Sequence, residues 1–487
     1  MSQLSANTVP TNIRRYTYDR AAIKTGIIHF GLGNFHRAHQ AVYVEDLLEQ
    51  GETDWGITGV SLRSPAMKAD LEPQDYLYTL AVLGHETTEY RVIGAIRHVL
   101  VAPNNPQAVM DLIASPDTHL VSSTITEKGY YLASGAVDFD HSALQAELSS
   151  LKSPTTIYGF LAAGLIQRFM TKPEGPKLTI LCCDNISSGG ERLQDGVTHL
   201  LRHHNPEALA WAQTNAAFIS SMVDRVSPAT DDALRAKVLA DTGRSDTRPV
   251  SAEPFTQWII EDGFAGKRPA FDTVGAVFVG DIAPFEQMKL RYLNAAHTIA
   301  STLGYLCGDI YVHEAIERRD VIEFMRRALY ENVLPHADVP AGYDAAAYIE
   351  AVIKRFQNAN LPYGNLQVGT DSSQKIQQRW FPTIERAVSQ NADSSYFAFS
   401  LGVWVNFIHS ALEKDVLNDP QEDALKSVEE DDIERRLFAY LNIANADKFE
   451  FFRDDDFMIS AAEYAQTIKT AGIEQALAEF LISKPTS

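Results

Sequence analysis

The stretch Gly26-Ile27-Ile28-His29-Phe30-Gly31-Leu32-Gly33-Asn34-Phe35-His36-Arg37 decides the fold of the first half of the chain. It begins with a short apolar run typical of a buried strand, and a helical pattern follows the two glycines. Such a glycine turn lets the backbone approach a pyrophosphate, and the helix N-terminus offers free amides and a positive dipole end. The third glycine of the usual motif is missing, so a plain tight turn is the alternative. The candidate cofactor-binding residues of this turn are Gly31, Gly33, Asn34 and Phe35.

The end of the next strand bears on the choice of cofactor. This strand is predicted at residues 55–62. In a Rossmann-type unit, a carboxylate at its end binds the ribose diol of the cofactor. Here Arg63 and Ser64 follow the strand and no carboxylate is present. Arg63 or Ser64 can accommodate a 2′-phosphate instead, and the alternative is that Arg63 is a solvated loop charge. The predicted cofactor is therefore NAD or NADP.

Strand patterns alternate with helical ones up to about residue 282. Two apolar runs, at residues 77–83 and 90–94, predict a hairpin. Three more runs, at residues 119–125, 178–185 and 277–281, predict further strands. After Pro284 helical periodicity dominates, and the acidic run 429–432 is expected on a solvated helix face. Because 487 residues are too many for one core, we predict two domains. The first is an α/β Rossmann-type dinucleotide-binding domain (1–282), and the second is a mainly α-helical substrate and catalytic domain (283–487).

Composition excludes several classes of protein. The formal net charge of −21 argues against a nucleic-acid or anionic-membrane partner, because both need a basic surface. The sequence has neither a run of about 18 apolar residues nor a signal-like apolar segment near its start, so we expect a cytoplasmic protein. Three cysteines cannot build a disulfide framework or a four-thiolate zinc site. His36 and His39 lie three residues apart, but no third ligand follows at a metalloenzyme spacing, so we favour structural roles and predict no metal.

A helix predicted to begin after Pro284 carries three polar residues on its apolar face. The apolar residues that recur there at helical spacing are Leu290, Leu293, Ala300, Leu303 and Leu306. At about 100° per residue, Lys289, Asn294 and His297 span an arc of roughly 140° that overlaps this row. An amine, an amide and an imidazole in one cleft can hold a small polar substrate, and burial can tune a lysine pKa for proton transfer. A snorkelling lysine, a hydrogen-bonded amide and a core histidine are the structural alternative.

The glycine turn and this helix together predict a dehydrogenase with its active site between two domains. Hydride transfer to nicotinamide needs a base for the alcohol proton and donors for the developing oxyanion. Lys289 is the candidate base, because the chain has neither a cysteine-histidine zinc set nor a lysine four residues after a tyrosine. A non-catalytic dinucleotide-binding sensor is the remote alternative, because a shared fold does not prove activity.

Motifs along almost the whole chain carry a resemblance to a known family. The most specific is Lys289-Leu290-Arg291-Tyr292-Leu293-Asn294-Ala295-Ala296-His297, a Lys-x4-Asn-x2-His signature. The other matching stretches are residues 31–39, 126–130, 183–185, 222–225 and 253–255. Together they resemble the polyol-specific long-chain dehydrogenase/reductase family, which includes mannitol 2-dehydrogenases and fructuronate reductases. The resemblance implies a zinc-independent, NAD(P)-dependent enzyme acting on CH–OH groups.

The same resemblance implies four catalytic residues. Lys289 corresponds to the general acid/base of the family. Asn185 and Asn294 correspond to the amides that hold the substrate oxygen and form an oxyanion pocket. His297 corresponds to a residue that orients the substrate by hydrogen bonding.

Three carboxylates also match family positions. Asp224 matches a substrate-binding aspartate, and a structural Asp–Arg pair is its alternative. Glu286 matches a glutamate near the proton path, and Glu127 matches one near the cofactor cleft. For these two, ordinary carboxylates at a helix start and at a strand end are the alternatives.

The segment 367–379 bears on the substrate. Mannitol dehydrogenases of the family have an arginine where Gln367 stands, whereas fructuronate reductases share this glutamine, the Ser-Gln-Lys run and the later Gln-Arg. Lys375 and Arg379 can supply charge for a substrate carboxylate, although Arg379 facing solvent is the alternative. NAD-preferring mannitol dehydrogenases show an acidic pair where this chain has Pro65-Ala66, so the cofactor preference stays open.

The resulting hypothesis is an enzyme that interconverts a 2-keto sugar compound and its 2-hydroxy form. We favour fructuronate reductase (D-mannonate oxidoreductase) activity, with mannitol 2-dehydrogenase or a related polyol dehydrogenase as the alternative. The expected partners are small sugar acid, ketose or polyol substrates. The protein itself is expected to be a monomer or a small homo-oligomer.

Overall fold

The computed structural model describes residues 2–133 and 135–484 of the chain. The chain divides into two compact units, Met1–Ala283 (unit 1) and Pro284–Ser487 (unit 2). The predicted fold class is confirmed, because unit 1 is a Rossmann-type α/β domain and unit 2 is mainly helical. Among the residues described, no helix has the combined length and apolar character needed to cross a membrane.

The described part of unit 1 contains thirteen strands in three sheets. The strands are β1 (Thr25–Phe30), β2 (Gly56–Ser61), β3 (Tyr78–Leu83), β4 (Thr88–Ile93), β5 (Ile96–Val101), β6 (Leu120–Ser123), β7 (Leu132–Ala133), β8 (Ala136–Val137), β9 (Leu178–Cys182), β10 (Ala216–Asp224), β11 (Val250–Ala252), β12 (Gln257–Glu261) and β13 (Val277–Val279). The predicted hairpin is present as the antiparallel pair of β3 and β4, which joins β11 in a small sheet.

The large sheet has the strand order β13-β12-β10-β9-β6-β1-β2-β5. From β10 to β5 all neighbouring strands run parallel, whereas β12 pairs antiparallel with β10. Parallel strands need crossover connections, and their carboxyl ends meet at one edge of the sheet. The order reverses at β1 and β6, so the topological switch point of this Rossmann-type sheet lies there.

Helices cover both faces of the large sheet. In unit 1 they are α1 (Asn34–Ala38), α2 (Gln40–Glu49), α3 (Ala66–Leu71), α4 (Pro106–Ala114), α5 (Ser142–Ser149), α6 (Ile157–Thr171), α7 (Gly189–His204), α8 (Pro206–Asn215) and α9 (Asp232–Thr242). Successive residues of a strand point to opposite faces. Accordingly, Ile27 of β1 joins a core with α2, whereas Ile28 joins a second core with α4, α6 and α7. This two-sided burial explains why β1 and β9 are continuous apolar runs.

Unit 2 forms one large core of helices. They are α10 (Ala283–Met288), α11 (Ala295–Leu306), α12 (Val312–Glu317), α13 (Arg319–Arg327), α14 (Ala345–Phe356), α15 (Asn365–Gly369), α16 (Ser372–Arg379), α17 (Phe381–Ser389), α18 (Ser395–Glu413), α19 (Glu422–Lys426), α20 (Ile433–Ile443), α21 (Asp455–Ala471) and α22 (Ile473–Ser483). Helix α18 is apolar and largely buried, and it packs against α21. Two π-helical turns, Lys289–Asn294 and Ala328–Val333, interrupt the regular helices.

The acidic run 429–432 lies in the loop between α19 and α20, so the prediction of a helix face was wrong. Asp432 instead caps α20, because its side chain accepts a hydrogen bond from the Arg435 amide at 3.0 Å. Aspartate is favoured at this position, since its short side chain reaches the unpaired amides of the first turn.

A buried carboxyl group links the stability of unit 1 to pH. Glu45 on α2 is fully buried and accepts hydrogen bonds from the Tyr18 hydroxyl at 2.9 Å and the Gly94 amide at 2.8 Å. Burial raises the pKa of Glu45 to about 7, with the Arg91 guanidinium as the main opposing influence. Because this folded-state pKa exceeds the ordinary value of 4.5, the stabilisation is complete below pH 4.5 and is lost as the pH rises through about 7.

We expect Glu45→Gln to flatten the dependence of the unfolding free energy on pH between 4.5 and about 7, because an amide does not ionise. Chemical denaturation across this pH range measures the slope. Glu49→Gln is the matched control on the same helix, where the carboxylate is bound by Thr17 near the surface. An unchanged slope in Glu45→Gln would show that another group titrates.

Candidate active site

The turn after β1 has the backbone geometry that a pyrophosphate needs. Gly31 has a φ of +97°, and a Cβ atom there would lie 2.1 Å from the Thr124 carbonyl oxygen, so glycine is required. Gly33 directly precedes α1, and a Cβ atom built on it would have no atom within 4 Å beyond those of its own chain neighbours. Open space beside the amides of a helix start suits a phosphate group. The residues of this turn therefore fit a bound dinucleotide.

The side chains of Asn34 and Phe35 stabilise the turn itself. The Asn34 amide nitrogen donates to the Pro228 carbonyl at 2.9 Å, and its oxygen accepts from Arg37 at 2.7 Å. The half-buried Phe35 ring stacks on His39, with 5.1 Å between the ring centroids. These contacts explain how the turn is held, and cofactor contacts from the two residues stay a prediction.

The remaining predicted residues of unit 1 lie along one edge of the large sheet. Arg63 follows β2, Glu127 follows β6 and Asn185 follows β9, while Asp224 is the last residue of β10. Because these strands and β1 are parallel, their carboxyl ends lie on the same edge as Gly31, where such sheets bind ligands. Arg63, Glu127 and Asn185 are exposed, whereas Asp224 is buried. The sheet thus brings five predicted positions to its ligand-binding edge.

Arg225, next to Asp224, has a structural role of its own. Its guanidinium donates to the Glu253 carbonyl at 3.0 and 3.1 Å and to the Ala38 carbonyl at 2.6 Å. These bonds tie the end of β10 to two other segments of unit 1. The substrate-binding role of Asp224 stays a prediction.

In unit 2, the helix that carries Lys289 and Asn294 is not a regular α-helix. The two residues begin and end the π-turn between α10 and α11. Hydrogen bonds in a π-turn run between residues five apart, so Asn294 lies one turn above Lys289 on the same side of the helix. The arc of roughly 140° expected from regular α-helical spacing was therefore wrong for this part of the helix. π-turns are frequent at functional sites.

The π-turn holds two polar side chains away from solvent. Lys289 is 9% exposed and Asn294 is 7% exposed. The Asn294 amide nitrogen has no hydrogen-bond partner among the described residues. Leaving such a donor buried and unpaired costs about 1–3 kcal/mol. The Asn294 amide nitrogen is therefore suited to bind an acceptor that a ligand supplies. The alternative, an amide whose nitrogen is already hydrogen-bonded within the protein, does not fit Asn294.

His297 is held by aromatic rings. It is half-buried and stacks on Phe356, with 4.0 Å between ring centroids, and on Tyr363 at 5.8 Å. Burial raises the pKa of Tyr363, and the nearby positive charge of Arg379 opposes this shift. Tyr363 therefore lies within the electrostatic reach of Arg379 and in stacking contact with His297.

Helix α16 brings Arg379 against the helix that carries Asn294 and Thr298. The Arg379 guanidinium donates to the Asn294 carbonyl at 3.2 Å and to the Thr298 hydroxyl at 2.7 Å. The alternative that Arg379 faces open solvent is therefore wrong. The bond to the Asn294 carbonyl also braces the end of the π-turn.

The other predicted residues of unit 2 lie at its periphery. The Lys375 ammonium donates to the Val368 carbonyl at 3.3 Å and so joins α16 to α15. Helix α15 also carries Gln367, which is exposed. Glu286 is half-buried in the first turn of α10, three residues before Lys289.

His36 and His39, which lie three residues apart, are surrounded by packed rings and backbone groups. His36 is buried and stacks on His29 with 3.4 Å between ring centroids, and His39 Nε2 hydrogen-bonds the Gln257 carbonyl at 2.9 Å. Over residues 2–133 and 135–484, no group of three or more His, Cys, Asp or Glu side chains is arranged to hold a metal ion.

Three residues with contacts to the candidate site were not singled out from the sequence. They are Asp184, Thr298 and Tyr363. Thr298 follows Asn294 by four residues, and Asp184 is the first charged residue after the apolar run of β9, so both carry a weak sequence signal. Tyr363 carries none, because its importance depends on packing between distant segments.

Unit 1 has a Rossmann-type sheet with an open glycine turn, and unit 2 buries a lysine and an unpaired amide. These features belong to a dinucleotide-dependent oxidoreductase acting on CH–OH groups. Two family descriptions match the chain: the mannitol dehydrogenase Rossmann domain over residues 25–273 and the mannitol dehydrogenase C-terminal domain over residues 281–468. The chain belongs to the mannitol dehydrogenase family, and the resemblance stated from its motifs is confirmed.

Relatives with different substrates are similarly close to this chain. The polyol:NADP oxidoreductase of Gluconobacter oxydans (strain 621H) is 35% identical over 415 residues, which cover 83% of this chain and 84% of that protein. The D-mannonate oxidoreductase of Escherichia coli (strain K12) is 32% identical over 409 residues, covering 82% and 84%. The solved ternary complex of Pseudomonas fluorescens mannitol 2-dehydrogenase with NAD and D-mannitol is 33% identical, with a TM-score of 0.85 over 99% of this chain and 100% of that one.

We expect Gly33→Ala to weaken NADH and NADPH binding by about 10- to 100-fold while the melting temperature changes little. The added methyl group fills the open space beside the turn and breaks hydrogen bonds to a charged group, which are worth about 1.5–3 kcal/mol. Nicotinamide fluorescence titration measures the affinity.

Gly280→Ala is the matched control, because Gly280 is equally open but follows β13, outside the run of parallel strands from β10 to β5. Gly31→Ala should instead lower the melting temperature, because its Cβ would collide with the Thr124 carbonyl. Wild-type affinity in Gly33→Ala would mean that the cofactor phosphates bind elsewhere.

Proposed function

We propose that the protein is a fructuronate reductase (D-mannonate oxidoreductase), which interconverts D-fructuronate and D-mannonate with NADH or NADPH. The observation that carries this proposal is the placement of Lys375 and Arg379 one helical turn apart on α16. Arg379 is also hydrogen-bonded to the carbonyl of Asn294, on the helix that carries Lys289. D-Fructuronate differs from D-fructose by a carboxylate at the end of the molecule remote from the ketone. Ammonium and guanidinium groups bind carboxylates through charge-assisted hydrogen bonds.

Oxidation of D-mannitol to D-fructose is the second candidate function. The mannitol 2-dehydrogenase of Pseudomonas fluorescens, at 33% identity, and the D-mannonate oxidoreductase of Escherichia coli, at 32%, favour the two functions about equally. Gln367 favours the reductase, since mannitol dehydrogenases of the family have an arginine there. An absorbance assay of both ketones with both cofactors tests the choice. Turnover of fructose without turnover of fructuronate would reject the proposal.

The residues of unit 1 would hold the cofactor. The backbone of Gly31 and Gly33 would bind the pyrophosphate, and Arg63 would lie beside the ribose, where it tolerates a 2′-phosphate. Glu127 would border the cofactor site. When bound, the nicotinamide ring supplies or accepts the hydride.

The remaining chemistry belongs to side chains of the chain. Lys289 gives its proton to the ketone oxygen during reduction and takes the proton back during oxidation. The amides of Asn185 and Asn294 donate hydrogen bonds to the same oxygen as its negative charge develops. His297 orients the substrate through a hydrogen bond. Lys375 and Arg379 bind the substrate carboxylate in this proposal, and Asp224 and Gln367 bind other groups of the substrate. Glu286 lies on the path by which the proton reaches or leaves the site.

We expect Lys289→Ala to lower turnover by roughly 10²- to 10⁴-fold, because the reaction loses its general acid/base. Steady-state kinetics in both directions measure the effect, and the melting temperature checks that the variant is folded. Lys448→Ala, an exposed lysine of the same unit, is the control and should turn over normally. Near-normal turnover of Lys289→Ala would show that another group exchanges the proton.

We expect Lys375→Met to raise KM for D-fructuronate about 10- to 100-fold more than KM for D-fructose, because only the first loses a charge-assisted hydrogen bond. The Lys375 bond to the Val368 carbonyl is lost with either substrate, so the ratio of the two KM changes isolates the carboxylate contact. Lys354→Met on α14, an exposed position, is the control. Equal changes in KM for both ketones would show that Lys375 does not bind the substrate carboxylate.

A further inference from the structure

A half-buried carboxylate, that of Asp184, stands directly before Asn185 and has no part in the chemistry above. Asp184 accepts hydrogen bonds from the Ile125 amide at 2.8 Å, from the Thr126 amide at 2.9 Å and from the Tyr130 hydroxyl at 2.5 Å. Burial raises the pKa of Asp184, and these hydrogen bonds oppose that shift. A carboxylate that is partly removed from water needs such donors, because leaving it unpaired would be destabilising.

The segment bound by Asp184 is a strained turn. The turn Glu127–Tyr130 follows β6, and both residues that flank it have left-handed φ angles, +68° at Thr126 and +48° at Tyr131. Non-glycine residues in such conformations cost on the order of 1–3 kcal/mol each and persist only where the surroundings fix them. Asp184 supplies that fixation, since it binds the start of the turn through two amides and its end through the Tyr130 hydroxyl.

Tyr130 extends this connection into the core. It is fully buried, and its hydroxyl lies 2.8 Å from the Ser123 hydroxyl, while its carbonyl accepts from the Tyr158 hydroxyl at 2.9 Å. The turn is therefore anchored to β6 and α6 as well as to Asp184. The Tyr130 hydroxyl also lies 3.4 Å from the Cys182 sulfur at the end of β9, and Asp184 connects the turn to the segment after β9 that carries Asn185.

We propose that Asp184 is a positioning residue that sets the places of both Asn185 and Glu127. Its carboxylate fastens the strained turn after β6 to the end of β9, so two predicted site residues on neighbouring strands are held as one unit. The inference rests on the proposed function, because the position of Asn185 matters only if its amide binds the substrate oxygen. A misplacement of about 1 Å at such a donor can cost about 10²-fold in rate.

A double-mutant cycle with Asn185 tests this inference. Asp184→Asn keeps the shape of the side chain but turns one acceptor into a donor facing the donors of the turn. We expect it to lower kcat about 10- to 100-fold, with a much smaller change in KM for the ketone. In the Asn185→Ala background the same substitution should change kcat less than about threefold, because the amide donor that Asp184 positions is already absent. A displaced Glu127, which borders the proposed cofactor site, should instead change KM for NADH or NADPH.

Asp246→Asn is the matched control for a purely structural carboxylate. Asp246 is buried in unit 1 and, like Asp184, accepts several hydrogen bonds, from the Thr79 and Arg248 amides and from Gln74. It should lower the melting temperature and leave kcat unchanged. Tyr130→Phe removes one of the three bonds to Asp184 and should give an intermediate loss of kcat.

Each outcome separates this inference from the proposed function. If Asn185→Ala alone retains wild-type turnover, the role proposed for Asn185 fails, and with it the basis of the inference. If Asn185→Ala is impaired but Asp184→Asn costs the same factor in both backgrounds, only the positioning role fails. If Asp184→Asn resembles Asp246→Asn, with lower stability and normal kcat, the carboxylate is structural.

Discussion

Parallel pairing of six neighbouring strands is the constraint on which the rest of unit 1 depends. Because parallel strands share one direction, the segments that follow β1, β2, β6, β9 and β10 must all emerge at the same edge of the sheet. Residues as distant in sequence as Gly31 and Asp224 are thereby placed along one line. Each of these strands is followed by or ends in one or two of the predicted site residues, and the hydrogen-bonded sheet fixes their spacing. Loops can then vary without disturbing the register of the site.

Unit 2 differs from unit 1, since it buries polar groups on a helix that packs into an apolar core. Lys289 and Asn294 are buried on a helix whose apolar residues join the large core of unit 2, where an unpaired polar atom such as the Asn294 amide nitrogen is costly. Aromatic stacking holds His297, and Arg379 braces the backbone of Asn294 rather than its side chain. The side chain of Asn294 is thus held in place while its amide nitrogen has no hydrogen-bond partner among the described residues. Such a preorganised donor stabilises developing charge well, because it does not have to reorient during the reaction.

Much of the fold was predictable because its signals are local. The apolar runs of β1 and β9, the glycine turn and the change of periodicity near residue 284 each lie within a few adjacent residues. The antiparallel direction of β12 and the strand order were not predictable, since they depend on contacts between distant segments. Candidate site residues came chiefly from motif resemblance, and their roles stay predictions.

The residues missed from the sequence share a physical reason. Asp184, Thr298 and Tyr363 matter through hydrogen bonds and stacking that form only when separate elements pack together. The π-turn was missed as well, because its residues show ordinary helical spacing of apolar side chains. Nothing in the residue types of 289–294 marks the wider turn, whereas the buried face that they share was evident.

The π-turn also limits how this chemistry can be moved to other proteins. A π-turn has about one residue more per turn than the α-helix around it, so it rotates the side chains of all later residues about the helix axis. Grafting Lys289, Asn294 and His297 onto a straight designed helix at the same intervals would spread them over a wider arc. A transplanted site would need the wide turn and its guanidinium brace as well, so the smallest portable unit is the backbone irregularity together with its side chains.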